Sequence, residues 1–490
     1  MAPVAKILKL SSGLLLFLAA AAAGCRSVEA PPTAGTPWVP PRWAEEEAAV
    51  SPEPPPDPGA DLASPLTLAD CADIALARNP ATRRAWAEAR AASAGLDRAV
   101  SPRYPRLTVS GRGSYQRQEY ELKEGTSGLA ADMDGFVYGP ALELTYLLFD
   151  FGGVSAGVEE ARQTLLAANF SFNQSLQDLL LEVEQAYYRL ISLQASLTAA
   201  EADVEDARTA DEAASQKYEV GLASRLDQLQ ARSSYQDSLY RLEQSRGDLQ
   251  SGRADLAAAL GLPADSKFTL APPSGKVPDR IPEKDVSRLI EAGLRTRPDI
   301  AALRAQVRAK EAAVESSAST LYPALNLGGS ADKLWYSYNG DPELYDDSYS
   351  YTGYLALEWD IFSGFDDLGR KRQAEAEAVA AREELASAEI QASSEVWSKY
   401  YAFQTAVKRY GFSQASLETA RESYQLARES YQTGLKSILD LLQSQSALSS
   451  DRSQVIEAER DVFVSLADLA HATGTLTRKG LDVPGGGENE

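Results

Sequence analysis

Two periodicities alternate along this chain, and each occurs twice. Residues 68–100 are Ala-rich with helical spacing and stop at Ser101-Pro102, because the residue before a proline disfavours helix. The period then falls to two. Leu107, Val109, Gly111, Gly113 and Tyr115 alternate with Thr108, Ser110, Arg112 and Ser114. A return run sets Phe136, Tyr138, Leu142, Leu144, Tyr146 and Leu148 against Gly139, Ala141, Glu143 and Thr145. Pro140 interrupts that run and weakens its early part as a strand. The run exits through Phe149-Asp150-Phe151-Gly152-Gly153, where glycine permits a sharp turn. Residues 154–220 then contain no proline, enough for a helix of about 100 Å.

The same order recurs downstream. Ala77-Arg78-Asn79-Pro80 matches Arg295-Thr296-Arg297-Pro298, and Tyr104-Pro105 matches Tyr322-Pro323, both at a spacing of 218. Tyr187-Tyr188 matches Tyr400-Tyr401, Gly221-Leu222 matches Gly434-Leu435, and Asp227 matches Asp440, all at 213. A spacing that changes once implies a duplicated unit with one net insertion in its β part. The second copy alternates Leu355, Leu357, Trp359 and Ile361 with polar neighbours, exits at Phe362-Ser363-Gly364-Phe365, and continues into a second long helix over 366–433.

The arms returning after Gly221 and Gly434 carry a heptad: Tyr235, Leu242, Leu249 and Leu256, then Leu448, Val455, Val462 and Leu469. Such a repeat packs helices as a coiled coil. These arms are shorter than the descending ones, and the helices over 68–100 and 285–319, stacked end to end with them, make up the length.

Alternation with aromatics near the ends fits a sheet between lipid and water, and fits a half-buried soluble hairpin equally. If the strands lie in lipid, the four of one chain cannot close a barrel, and an open edge leaves backbone groups unsatisfied. A dimer supplies eight strands, whose interior fills with side chains; a trimer supplies twelve, wide enough for water.

Composition narrows the chemistry. Lys and Arg total 48 against 70 Asp and Glu, a net charge of −22, so no basic stripe is available for nucleic acid. One histidine, His471, and two cysteines, Cys25 and Cys71, argue against zinc sites and His-based triads; no metal or cofactor is expected. Lys6 and Lys9 precede an apolar run over 13–23, a signal-peptide core too short to span a bilayer. Ala22-Ala23-Gly24-Cys25 resembles the bacterial lipoprotein box, with Ala22 where Leu is commoner; an incidental cysteine at an ordinary cleavage site would look the same. Arg26 is permissive for the outer membrane. Residues 31–65 hold 11 of the 25 prolines, together with Trp38 and Trp43, and so form an extended tether whose tryptophans can dock on the body or at the bilayer.

Taken in order, these residues resemble the TolC-type outer-membrane efflux family, in its lipoprotein branch. Leu66-Thr67-Leu68, Arg78-Asn79-Pro80, the Tyr-Pro pairs and the Phe-then-Gly strand exits carry the likeness. Its strongest parts are the turn sequence over 220–227 and its copy over 433–440. The resemblance implies a mainly α chain with a transmembrane β part, a trimeric 12-strand barrel continued by a 12-helix periplasmic tunnel. It also implies passive conduction without catalysis, and partnership with a periplasmic adaptor and an inner-membrane pump. Gly221, Leu222, Gly434 and Leu435 match the adaptor-docking turns. Asp440 matches an aspartate at the closed tunnel mouth, while Gln443 stands where a second acidic residue often follows. Tyr431 and Lys436 match the gate residues of the second hairpin, with Asp227 as partner on the first; Lys436 replaces a commoner Arg and loses its bidentate geometry. Asp227 and Asp440 also suit the start of a helix, through the dipole alone.

The expected organisation is a signal peptide (1–24), a lipidated Cys25 with tether (25–65), a first repeat (66–275) and a second (276–475), then a flexible tail (476–490). Within the repeats the β-hairpins span about 104–149 and 322–362, and the helical hairpins about 154–261 and 366–474. A non-conducting envelope lipoprotein with a coiled-coil stalk is the alternative. A glycosidase using paired carboxylates is disfavoured, since the acids fall at spacings of solvated helix faces.

Overall fold

The structure is a computed structural model, and it describes residues 30–31, 33–38, 64–119, 132–272, 285–338 and 347–478. The signal peptide, Cys25, Trp43, most of the tether and the end of the tail lie outside these residues.

Each repeat contributes two short helices, a β-hairpin and a long helical hairpin. In the first these are α1 (Leu68–Arg78), α2 (Pro80–Val100), β1 (Arg106–Glu119), β2 (Asp132–Phe149), α3 (Gly153–Glu219) and α4 (Arg225–Ala259). In the second they are α5 (Val286–Thr296), α6 (Pro298–Ser319), β3 (Ala324–Tyr338), β4 (Asp347–Glu358), α7 (Asp366–Gln432) and α8 (Ile438–Ala472). Both descending helices are 67 residues long.

The single helices expected over 68–100 and 285–319 are each broken. Asn79 and Arg297 take extended conformations, ψ 129° and 124°, because Pro80 and Pro298 follow them. Each break receives the end of a returning arm. Asn79 Nδ2 donates to the Ala259 carbonyl at 3.0 Å, and Arg297 Nη1 donates to the Ala472 carbonyl at 3.0 Å. Gly261 (φ 69°) and Gly474 (φ 68°) follow these arms, so close to the breaks that a Cβ would lie 2.9 Å from the Cα of Asn79 or Arg297. The expected end-to-end stacking is thus a specific joint, in which the Arg297 guanidinium also holds Asp299 at 2.7 Å and Glu395 at 2.6 Å.

The main core lies where α1, α2 and α4 meet the upper part of α3, around Ile74, Phe172, Val183, Tyr187 and Leu256. Cys71 is buried there, and burial pushes its thiol up to about 12. The heptad residues Leu242, Leu249, Leu256, Leu448 and Val462 are buried as the spacing predicts. His471, late in α8, is caught by Asp178 of α3 at 2.7 Å. The tether docks on the body: Asn173 exchanges two 2.7 Å hydrogen bonds with the backbone of Trp38, whose ring meets Phe170 edge-on at 5.4 Å. Trp86 Nε1 donates to the Pro31 carbonyl at 2.8 Å.

The described strands form one antiparallel sheet in the order β1-β2-β3-β4. Its register places Leu107 opposite Leu144, Tyr146 opposite Leu327 and Leu325 opposite Leu357, so these side chains share one face. Tyr115, Phe136, Tyr138 and Trp335 lie on the same face nearer the tips of the hairpins. Leu107, Val109, Leu355 and Leu357 are exposed. An apolar sheet face of this extent, capped by aromatics and uncovered by the described chain, is a lipid-facing surface rather than half a soluble core. The other face carries Thr108, Arg112, Glu143, Ser330 and Thr352.

Contrary to expectation, Pro140 does not weaken the start of β2, which runs from Asp132. Pairing with β3 lapses between Tyr138 and Ala141, so the missing N–H falls where no rung is made. At the strand exits Phe151 (φ 54°) and Phe365 (φ 71°) share the left-handed conformation with Gly152 and Gly364. Phe151 is held by stacking on Tyr322, 5.0 Å between ring centres, so the Tyr-Pro corner of the second repeat supports the exit of the first.

Candidate functional site: the hairpin turns and mouth

The two hairpin turns are built alike. Gly221 (φ 78°) and Gly434 (φ 82°) adopt the left-handed conformation that ends a helix. The Leu222 N–H donates to the Lys217 carbonyl at 2.7 Å, and the Leu435 N–H to the Ser430 carbonyl at 2.8 Å. This geometry turns the leucines outward, leaving Leu222 78% and Leu435 81% exposed at the ends of the hairpins.

The ascending arms open on capping boxes. The Asp227 N–H donates to Ser224 Oγ at 3.1 Å, and the Ser224 N–H returns to Asp227 Oδ2 at 2.9 Å. Asp440 and Ser437 repeat this at 3.2 and 3.0 Å. Both aspartates therefore terminate helices, by hydrogen bonding as well as by the dipole; the serine three residues earlier was the available signal. The Ser437 hydroxyl, then its backbone N–H and nearby Lys436, hold the Asp440 carboxyl below the usual carboxylate range. It is therefore a fixed negative charge at neutral pH.

The expected brace is distributed differently from the sequence assignment. Tyr431 is buried and its hydroxyl has no hydrogen-bond partner among the described residues. Burial, then nearby Asp227, raises its pKa. Lys436 contacts Asp440 on its own hairpin, at 3.9 Å, rather than Asp227. Near the turns a cation does cross between the hairpins, from Lys217 of α3. Its Nζ lies 4.1 Å from the Tyr431 ring centre and donates to the Tyr431 carbonyl. Around it Ala210, Ala214 and Ala231 pack against Leu417, Tyr424, Ile438 and Leu441. Small residues on the first hairpin thus let the second approach closely. Lys217 escaped sequence reasoning because a lysine late in a helix needs no partner beyond the dipole.

A long, duplicated helical body, ending in paired turns and bearing a lipid-facing sheet at its other end, matches one family profile: outer membrane efflux protein, over residues 72–262 and 289–475. The chain belongs to that family. It is an outer-membrane efflux or secretion channel component with a large periplasmic part. It is 29% identical over 439 residues to protein CyaE of Bordetella pertussis, covering 89% of this chain and 90% of that protein. To alkaline protease secretion protein AprF of Pseudomonas aeruginosa it is 23% identical over 420 residues, 85% and 86% of the two chains. The outer-membrane channel OprN shares the fold, with a TM-score of 0.73 at 22% identity over 83% of this chain and 90% of that one.

Proposed function

We propose that three copies of this chain form a twelve-strand barrel continued by a twelve-helix tunnel, a passive and non-catalytic conduit. It receives cargo from a periplasmic adaptor and an inner-membrane pump, in a tripartite efflux or type I secretion system. One observation carries this reading. Within the chain α3 packs along α8. The repeat equivalents of these helices are α7 and α4, which make no comparable contact with each other within the chain. They instead expose large apolar groups, Tyr401 at 43% and Leu229 at 51%, whose repeat equivalents Tyr188 and Leu442 are covered in the α3–α8 seam, Tyr188 by stacking on Phe463. A neighbouring copy that repeats the α3–α8 arrangement as α7 against α4 buries them. The same step places β4 beside the β1 edge of the next copy, and a ring built this way leaves no strand edge in lipid.

In such a ring Asp440 recurs around the mouth as a cation-attracting circle, and Tyr431, Lys436 and Asp227 set how tightly the mouth closes. Gly221, Leu222, Gly434 and Leu435 stand farthest from the membrane and offer apolar tips to an adaptor. Acylated Cys25 anchors the chain to outer-membrane lipid. Conductance in planar bilayers, with mass measurement in detergent, tests the whole: a trimer carrying ion current is expected. A trimer without conductance would instead favour the envelope stalk.

A further inference from the structure

The α3–α8 face that joins the two hairpins carries a charged clasp about 18 Å above the mouth, twelve residues along α8 from Asp440. Arg452 Nη1 lies 3.0 Å from Asp206 Oδ2 and closer still to Asp203 Oδ1, while the Ser449 hydroxyl donates to the second oxygen of Asp203. Tyr424 of α7 is buried beside them, and burial, then the Asp206 charge, raises its pKa. The partners are spaced three apart on each helix, so two groups on one face two on the other. All three charged side chains are about four-fifths buried, at 21%, 19% and 20% exposure. Removing one partner of such a cluster strands the others without water, so it resists parting. Below it the hairpins meet through the apolar cluster that holds Ala210, Ala214 and Leu441, and through the Lys217–Tyr431 contact near the turns.

The duplication supplies an internal control. At the spacing of 213, Asp203, Asp206 and Arg452 correspond to Ser416, Thr419 and Leu239. The equivalent groove, where α7 meets α4 of the next copy, therefore lacks these three charged groups. We infer that Arg452, Asp203 and Asp206 form the fulcrum of mouth opening. Above them the hairpins of one chain move as one body; below them α7 and α8 swing away from α3, and seams between chains yield more readily than the seam within. This rests on the trimeric ring proposed above.

The test replaces the clasp with what the other groove carries: Asp203→Ser, Asp206→Thr and Arg452→Leu together, which leaves no stranded charge. Full-length trimers are compared with and without Lys217→Ala, by amide hydrogen exchange along α3 and by single-channel conductance. With the clasp intact, Lys217→Ala should speed exchange from Ala207 to Glu219 and leave residues 188–203 at native protection. With the clasp replaced as well, fast exchange should climb above Asp203, and conductance should exceed that of Lys217→Ala alone at least twofold. Exchange that stops at the same residue in both backgrounds overturns the fulcrum, whatever the current. If Lys217→Ala changes neither readout, the clasp alone must hold the mouth, and the triple variant must open it unaided; a triple variant identical to native then overturns the proposal. Loss of conductance in every protein, with the exchange boundary still moving, would count against the conduit and leave the fulcrum standing.

Discussion

Lys217 on the first hairpin sits over the ring of Tyr431 on the second, 4.1 Å from its centre, and reaches the carbonyl of the same residue. The contact uses the face and backbone of Tyr431 and leaves its hydroxyl unbonded among the described residues. Tyr431→Phe should therefore leave resting conductance near native. Lys217→Ala and Tyr431→Ala should both raise it. A cation–π contact contributes about 0.5–2 kcal/mol, more where the ring is buried, and in the proposed trimer three copies together bias the closed mouth by a few kcal/mol. Lys436→Ser, which removes only an exposed 3.9 Å contact with Asp440, should open the mouth less than Lys217→Ala does. Single-channel recording ranks the four.

Four glycines with nearly the same φ separate strain from space. Gly434 and Gly221 have open surroundings, whereas a Cβ on Gly474 or Gly261 would press to 2.9 Å on the backbone of Arg297 or Asn79. Gly434→Ala should cost about 1–2 kcal/mol for the left-handed conformation alone. Gly474→Ala and Gly261→Ala should cost more and reduce trimer yield, because the joint with the broken helix must shift. Heat resistance of the trimer on a gel orders them.

Glu184 is buried on α3, and desolvation, then the nearby Asp468 charge, raises its pKa to about 7. The folded chain thus keeps a proton that the unfolded chain releases in the ordinary carboxylate range. The stability this supplies is complete below that range and is lost as pH rises through about 7. Glu184→Gln should remove the dependence, melting at least ~2 °C above native at pH 8 and close to it at pH 5. Calorimetry at the two pH values checks the sign.

Asn173 binds both backbone polar groups of Trp38, so Asn173→Ala should release the tether. Proteolysis within residues 33–38 should become several-fold faster, with trimer mass unchanged. Trp38→Ala, which also removes the contact with Phe170, should do the same.

What was legible in the sequence was what a local period encodes. Leu242, Leu249 and Leu256 announced the ascending arm, and the Leu107–Tyr115 alternation announced a strand, because one face of each is buried or apolar throughout. The breaks at Asn79 and Arg297 were hidden by Ala-rich surroundings that are helical on both sides, although Pro80 and Pro298 marked them. The partners that meet across the hairpins were not legible. Lys217 meets Tyr431 across 214 residues, and Arg452 meets Asp203 across 249. No spacing along one helix records which face of another will lie against it.

The order β1-β2-β3-β4 leaves the first and last strands each with one described neighbour, and the two edges are different strands. In the proposed ring, copies therefore join head to tail. Whether such a joint yields a ring or an endless string depends only on whether the turn per copy divides the circle. Nothing in a single chain's edges counts to the three of the proposed ring; the inclination of its long helices at the joints around Asn79 and Arg297 would do the counting. A chain delayed in the periplasm carries both adhesive ends at once, so every misaligned encounter is a seed for disordered polymer, and swift arrival at the bilayer is part of what makes the fold viable.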